Sequence, residues 1–157
     1  MLLEAELAKN TDFALTLARC LPRVRVLGSS VTPLGGGFSR LTIDLRNDGF
    51  LPTNGTTQAL TTASVRKAPK AELVLSDGLE LVSGKARPQL PHLSGRTRHA
   101  FDAPHPSGSS GPNTEEARLE WIVKGSGEAT LSVDWQRAGT LSTSAAVDGT
   151  ANPAAAL

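Results

Sequence analysis

The stretch RLEWIVKGSGEATLSVDWQRAGTLSTSAAV, residues 118–147, decides the fold. Within it Leu131, Val133 and Trp135 alternate with Thr130, Ser132, Asp134 and Gln136, so apolar residues share one side and polar residues the other. A period of two belongs to a half-buried strand, whose successive side chains leave opposite faces. Gly125-Ser126-Gly127 and Arg137-Ala138-Gly139 break the stretch into three strands, 118–123, 128–135 and 139–147. Toward the amino terminus the same period returns in Leu41, Ile43 and Leu45 against Thr42, Asp44 and Arg46, and in the alternation of residues 23–26. Short apolar runs at 71–75 and 79–82 flank Ser76-Asp77-Gly78, and Asp-Gly between two such runs predicts a hairpin. Asn47-Asp48-Gly49 predicts a further turn. Seven or eight short strands with frequent turns predict an antiparallel Ig-like β-sandwich. The absence of a regular βαβ alternation argues against a parallel sheet.

Before residue 22 the period is different. Leu3, Leu7, Ala14, Leu17 and Leu21 recur at helical spacing, so residues 1–21 read as a helical segment with one apolar face. Asn10-Thr11-Asp12 offers a cap for a second helix inside it. Pro22 closes the segment by driving its predecessor out of the α region. Glu4 and Glu6 stand where a signal peptide would be apolar, so this is no export signal, and an opening methionine with no lead-in suggests the cut end of something longer. The expected organisation is a helical segment 1–21, a sandwich 22–147 and a fraying tail 148–157. Residues 52–63 and 103–114, rich in Thr, Asn, Gly, Ser and Pro, read as surface loops. No internal repeat is visible.

Composition narrows the function classes. With 157 residues, 39% hydrophobic and 20% charged, the chain has enough apolar material for a core and too little net charge for disorder. Sixteen Lys and Arg against 15 Asp and Glu leave a net charge of +1, which argues against general nucleic-acid binding. No apolar run reaches the length of a membrane helix. Cys20, the single cysteine, excludes an internal disulfide and a Cys-rich zinc site.

Candidate chemical residues carry little. His92, His99 and His105, with Asp102 nearby, are seven and six residues apart across prolines, unlike the tight spacings of zinc ligands. No Gly-x-Ser-x-Gly elbow is present. Cys20 beside Leu21 reads as a small core hydrophobe. Gly35-Gly36-Gly37 lacks the lysine and the strand-before, helix-after context of a phosphate loop. Arg96-Thr97-Arg98-His99 is a small basic patch without interleaved aromatics, and Asn54-Gly55-Thr56 is a sequon that needs a secretory route. Trp121 and Trp135 sit on alternating strands and read as sandwich core rather than as a sugar platform. No residue is assigned as catalytic, cofactor-binding or metal-binding.

Several segments together resemble a known arrangement: Val31-Thr32-Pro33-Leu34-Gly35-Gly36-Gly37-Phe38-Ser39-Arg40-Leu41; Leu45-Arg46-Asn47-Asp48-Gly49-Phe50-Leu51-Pro52-Thr53; Leu90-Pro91-His92-Leu93-Ser94-Gly95; and Leu119-Glu120-Trp121-Ile122-Val123-Lys124-Gly125. Over residues 10–147 the chain resembles the region that follows the catalytic domain in bacterial zinc carboxypeptidases of the carboxypeptidase A-like metallopeptidase family. The resemblance implies a carboxy-terminal accessory domain whose partner is the catalytic domain of the parent. The family's zinc, held by a His-x-x-Glu pair and a distant histidine, is expected in that domain and not here, because no His-x-x-Glu occurs in this chain. The chain itself is therefore expected to be no enzyme, with no nucleic-acid or membrane partner and with self-association through an exposed amino-terminal helix. Whether the parent is cytoplasmic or exported depends on upstream sequence. The alternative is a free-standing protein- or carbohydrate-binding module that uses the loops 52–63 and 103–114.

Overall fold

Leu41, Ile43 and Leu45 are fully buried while Thr42, Asp44 and Arg46 lie on the opposite, more accessible face, the alternation their spacing predicts. The computed structural model describes residues 2–53, 69–96, 115–135 and 137–149. Among these residues one helix, α1 (Leu2–Arg19), precedes seven strands: β1 (Val24–Gly35), β2 (Phe38–Asn47), β3 (Lys70–Leu75), β4 (Leu79–Ser83), β5 (Glu116–Gly125), β6 (Gly127–Trp135) and β7 (Gly139–Val147). They form two antiparallel sheets, one of order β1-β2-β5-β4 and one of order β3-β6-β7. The protein is thus an antiparallel β-sandwich preceded by a helix.

The inner faces meet in one core. Leu41, Ile43 and Leu45 of β2 and Leu119, Trp121 and Val123 of β5 face Ala71 and Leu73 of β3 and Ala129, Leu131, Val133 and Trp135 of β6, with Leu90 and Leu93 closing one margin. Each fully buried side chain of this size contributes about 1.5–3 kcal/mol. The outer face of the first sheet is a charge ladder. Arg118 grips both carboxylate oxygens of Asp44 across the β2–β5 pair at 2.7 and 3.1 Å, and Arg40 meets Glu120 at 3.1 Å.

Three expectations are corrected. β1 extends far beyond residues 23–26, through Gly28 and Pro33. It is an edge strand, where proline is tolerated, and two register shifts at Val26/Gly28 and Pro33/Gly35 absorb the irregular residues. Ser76-Asp77-Gly78 is not a hairpin, because β3 and β4 lie in different sheets. Only Gly78 of its two central residues has positive φ, whereas the type I′ turn of a two-residue hairpin needs it at both. The turn is held instead to β6, by Ser76 N–H to the Glu128 carbonyl and Glu128 N–H to Ser76 Oγ, 2.9 and 2.8 Å. A two-residue hairpin turn does occur at Gly36-Gly37 between β1 and β2, with both residues at positive φ. Finally, α1 is one continuous helix with no internal cap. Thr11 fits mid-helix by donating its hydroxyl to the Leu7 carbonyl at 2.8 Å.

The helix does not lay its apolar face on the sandwich. Every residue from 3 to 19 is exposed, including Leu3, Leu7, Phe13, Leu15 and Leu17. No described helix is long and apolar enough to cross a membrane.

Candidate functional site

The inward phase that buries Leu41, Ile43 and Leu45 continues to Asn47, which places a primary amide in the core with no exposure. Such a group is tolerated only when every hydrogen-bonding position is met. All four are. Asn47 Oδ1 accepts from the N–H of Arg23 at 2.9 Å and of Gly49 at 3.0 Å. Asn47 Nδ2 donates to the carbonyls of Leu51 at 2.9 Å and Ser94 at 3.2 Å. One amide orientation alone satisfies two donors and two acceptors. The side chain thereby joins the exit of α1, the bend after β2 and the segment before residue 96.

Backbone bonds close the same junction. Leu51 N–H donates to the Cys20 carbonyl, Asp48 N–H to Arg23, Arg96 N–H to Gly49, and Asn47 N–H to Glu115, all between 2.9 and 3.1 Å. The buried Thr53 hydroxyl accepts from Leu93 N–H at 3.0 Å, and Thr53 N–H donates back to Leu93 at 3.0 Å. The chain segments of the junction approach so closely that a side chain has no room at two points. A Cβ on Gly49 would lie 2.5 Å from the Leu21 carbonyl oxygen, and one on Gly95 2.2 Å from that of Phe50. Gly49 does not have positive φ, so closeness and not turn conformation demands glycine there.

Charges rim the junction. Asp48 pairs with Arg25 and with Arg46 at 3.2 Å, and Arg46 also reaches Glu115 at 3.5 Å and Glu116 at 3.7 Å. Leu21 and Phe50 are exposed at the same junction. His92 is half-buried, and loss of water holds its imidazole below the usual range.

Of the residues weighed from sequence, His92 lies in the junction segment, whereas His99, His105 and Asp102 lie outside the described residues. Among the described residues no three His, Cys, Asp or Glu side chains gather as a metal site would require. Cys20 is half-buried at the helix end. Gly35-Gly36-Gly37 is turn and strand end, with the Gly37 carbonyl accepting from Gly125 N–H at 2.9 Å. Arg96 is exposed, and Thr97, Arg98 and His99 lie outside the described residues, as do Asn54-Gly55-Thr56, most of 52–63 and all of 103–114. Trp121 and Trp135 are each 2% exposed, so neither presents an open ring, and Trp121 Nε1 donates to the Lys85 carbonyl at 2.8 Å. Asn47 was legible as a polar residue on an apolar phase, and the sequence reading passed over that signal by treating it only as a turn former. The arrangement has the character of a clamp: it fixes where the helix leaves the sandwich.

A family model described as a domain of unknown function (DUF8731) matches residues 23–146. No curated protein and no solved structure matches the chain.

Proposed function

The chain belongs to the DUF8731 family. We propose that it is a non-catalytic accessory sandwich which docks, through α1 and the clamp at its base, on the catalytic domain of a zinc metallocarboxypeptidase-like protein. The observation that carries this reading is the unpartnered apolar helix. Leu3, Leu7, Phe13, Leu15 and Leu17 are 52–72% exposed, although the end of the helix is tied into a rigid buried junction. A helix apolar on several sides is normally covered on them, and exposed patches of this kind mark docking surfaces. The two segments on which the resemblance to the carboxypeptidase-associated region chiefly rests, residues 47–53 and 92–95, also build the junction, through Asn47, Gly49, Leu51 and Thr53 in one and Leu93 and Gly95 in the other. In this reading zinc and the peptide-cleaving groups belong to the catalytic domain, and the sandwich supports it.

The first test reads the coding DNA next to this chain. An in-frame His-x-x-Glu motif with a distal histidine supports the proposal; a neighbouring frame without them overturns it. The second compares the isolated sandwich with the two-domain protein. Leu7→Lys with Leu17→Lys is expected to lower the melting temperature of the two-domain protein only. An equal effect on both, or on neither, would mean the helix does not face the catalytic domain.

A further inference from the structure

A second surface, unrelated to α1, is the free edge of β7. Among the described residues the edge strands are β1 and β4 in one sheet and β3 and β7 in the other. Three carry devices that discourage further pairing. β1 has two register shifts, Pro33 and Arg25. β4 is five residues long and irregular between Leu81 and Ser83. β3 carries Lys70 and Glu72, and its Leu73 N–H already donates to the Ala86 carbonyl at 2.7 Å. β7 has none of these. Its nine residues GTLSTSAAV contain no charge and no proline, and its ladder to β6 runs unbroken from Trp135↔Gly139 to Gly127↔Val147. Among the described residues β6 is its one partner strand.

Burial adds an independent observation. Leu131 and Val133 of β6 are at most 1% exposed, but Leu141, Thr143 and Ala145, facing the same way one strand further out, are only half-buried. The apolar layer runs past β6 to β7, which packs beside β1 of the facing sheet and still leaves Leu141, Thr143 and Ala145 half-buried.

We propose that β7 pairs antiparallel with β7 of a second copy of this chain, joining two three-stranded sheets into one of order β3-β6-β7-β7-β6-β3. Antiparallel pairing of a strand with itself is two-fold symmetric, so the same donors and acceptors serve both copies. Self-pairing about a centre at Thr143 brings Ser142 opposite Ser144, and hydroxyl pairs of this kind are favourable. Because β7 carries no charge, no register of self-pairing sets like charges opposite each other. One strand pair buries less than a standard interface, so the dimer is expected to be concentration-dependent rather than obligate.

Sedimentation equilibrium on the full chain tests this. The wild type is expected to rise from its monomer mass of 16.4 kDa toward twice that value as concentration climbs from micromolar to millimolar. Ser142→Lys with Ser144→Lys, both at exposed outward positions, opposes like charges and is expected to weaken association by at least about tenfold. An equimolar mixture with Ser142→Glu/Ser144→Glu is expected to restore it, as a heterodimer. Circular dichroism and tryptophan fluorescence report whether each variant keeps its fold, and the rescue itself requires folded partners. A wild type that stays monomeric throughout overturns the proposal. So does a lysine variant that dimerises like the wild type, or a dimer abolished by Leu7→Lys/Leu17→Lys but not by the β7 lysines, which would place the contact on α1.

Discussion

Replacing Asn47 by alanine removes one side chain and strands four backbone groups, two at buried bonds (the Gly49 N–H and the Ser94 carbonyl) and two at part-buried ones (the Arg23 N–H and the Leu51 carbonyl). Each buried group left without a partner costs about 1–3 kcal/mol. The bend at residues 48–51 lies near the surface and can relax to admit water, so the penalties do not all survive. A loss of about 3–5 kcal/mol is expected, a large part of the roughly 5–15 kcal/mol that holds a domain folded. Urea unfolding followed by the fluorescence of the buried Trp121 and Trp135 measures it, as a lower midpoint at constant slope. Asn47→Asp sharpens the test. It keeps the two bonds accepted by Oδ1 but turns a second oxygen toward two carbonyls. It is expected to be at least as damaging as alanine at neutral pH. It should recover partly in acid, where a protonated carboxyl donates to one carbonyl, because a buried acid without cationic partners has its native pKa raised. An alanine variant within about 1 kcal/mol of the wild type would refute the view of Asn47 as the clamp.

Gly95→Ala drives a Cβ against the Phe50 carbonyl and the Leu51 backbone and is expected to cost about 2–4 kcal/mol, whereas Gly28→Ala, with nothing within 4 Å, is expected to be neutral by the same urea assay. Because burial lowers the native pKa of His92, its stabilising contribution is complete above the unfolded value of about 6.5 and declines as pH falls from there through the native value. His92→Gln should flatten that part of a melting-temperature profile. Asp44, held low chiefly by its hydrogen bonds to Arg118, acts in a separate window, losing its contribution only as pH falls below about 3.9 and through its native value; Asp44→Asn should remove this later phase. In the isolated chain, Leu7→Lys with Leu17→Lys should leave sandwich stability within about 0.5 kcal/mol, since those side chains touch nothing in it.

The legible part of the fold was the part set by burial of one face. Leu41, Ile43, Leu45 and Leu131, Val133, Trp135 alternate because a strand packed on one side must, and the same phase marks Asn47 as buried. The full length of β1 was hidden because its pairing with β2 overrides the weak strand preference of Gly28-Ser29-Ser30 and Pro33. Asp77-Gly78 misled because a turn dipeptide reports a reversal and not which sheet receives the next strand. The exposure of α1 was half-legible: the apolar spacing showed a face in need of cover, while its distance from the sandwich is a tertiary fact no periodicity contains. The clamp itself joins residues 23, 47, 51 and 94, and no local pattern links positions so far apart.

The crossing turns that place β3 and β4 in different sheets have a consequence during synthesis. β5 is the strand that joins the β1–β2 hairpin to β4, and it begins only at residue 116, with the Asp44–Arg118 pair spanning 74 positions. A ribosome that has released the first hundred residues has therefore exposed Leu41, Ile43 and Leu45 with no strand yet able to cover β2 on its inner margin. Non-local pairings of this span fold slowly, and open strand edges invite aggregation meanwhile. Truncations ending before residue 116 should accordingly be insoluble, and a chaperone would find its longest opportunity on this chain before β5 emerges.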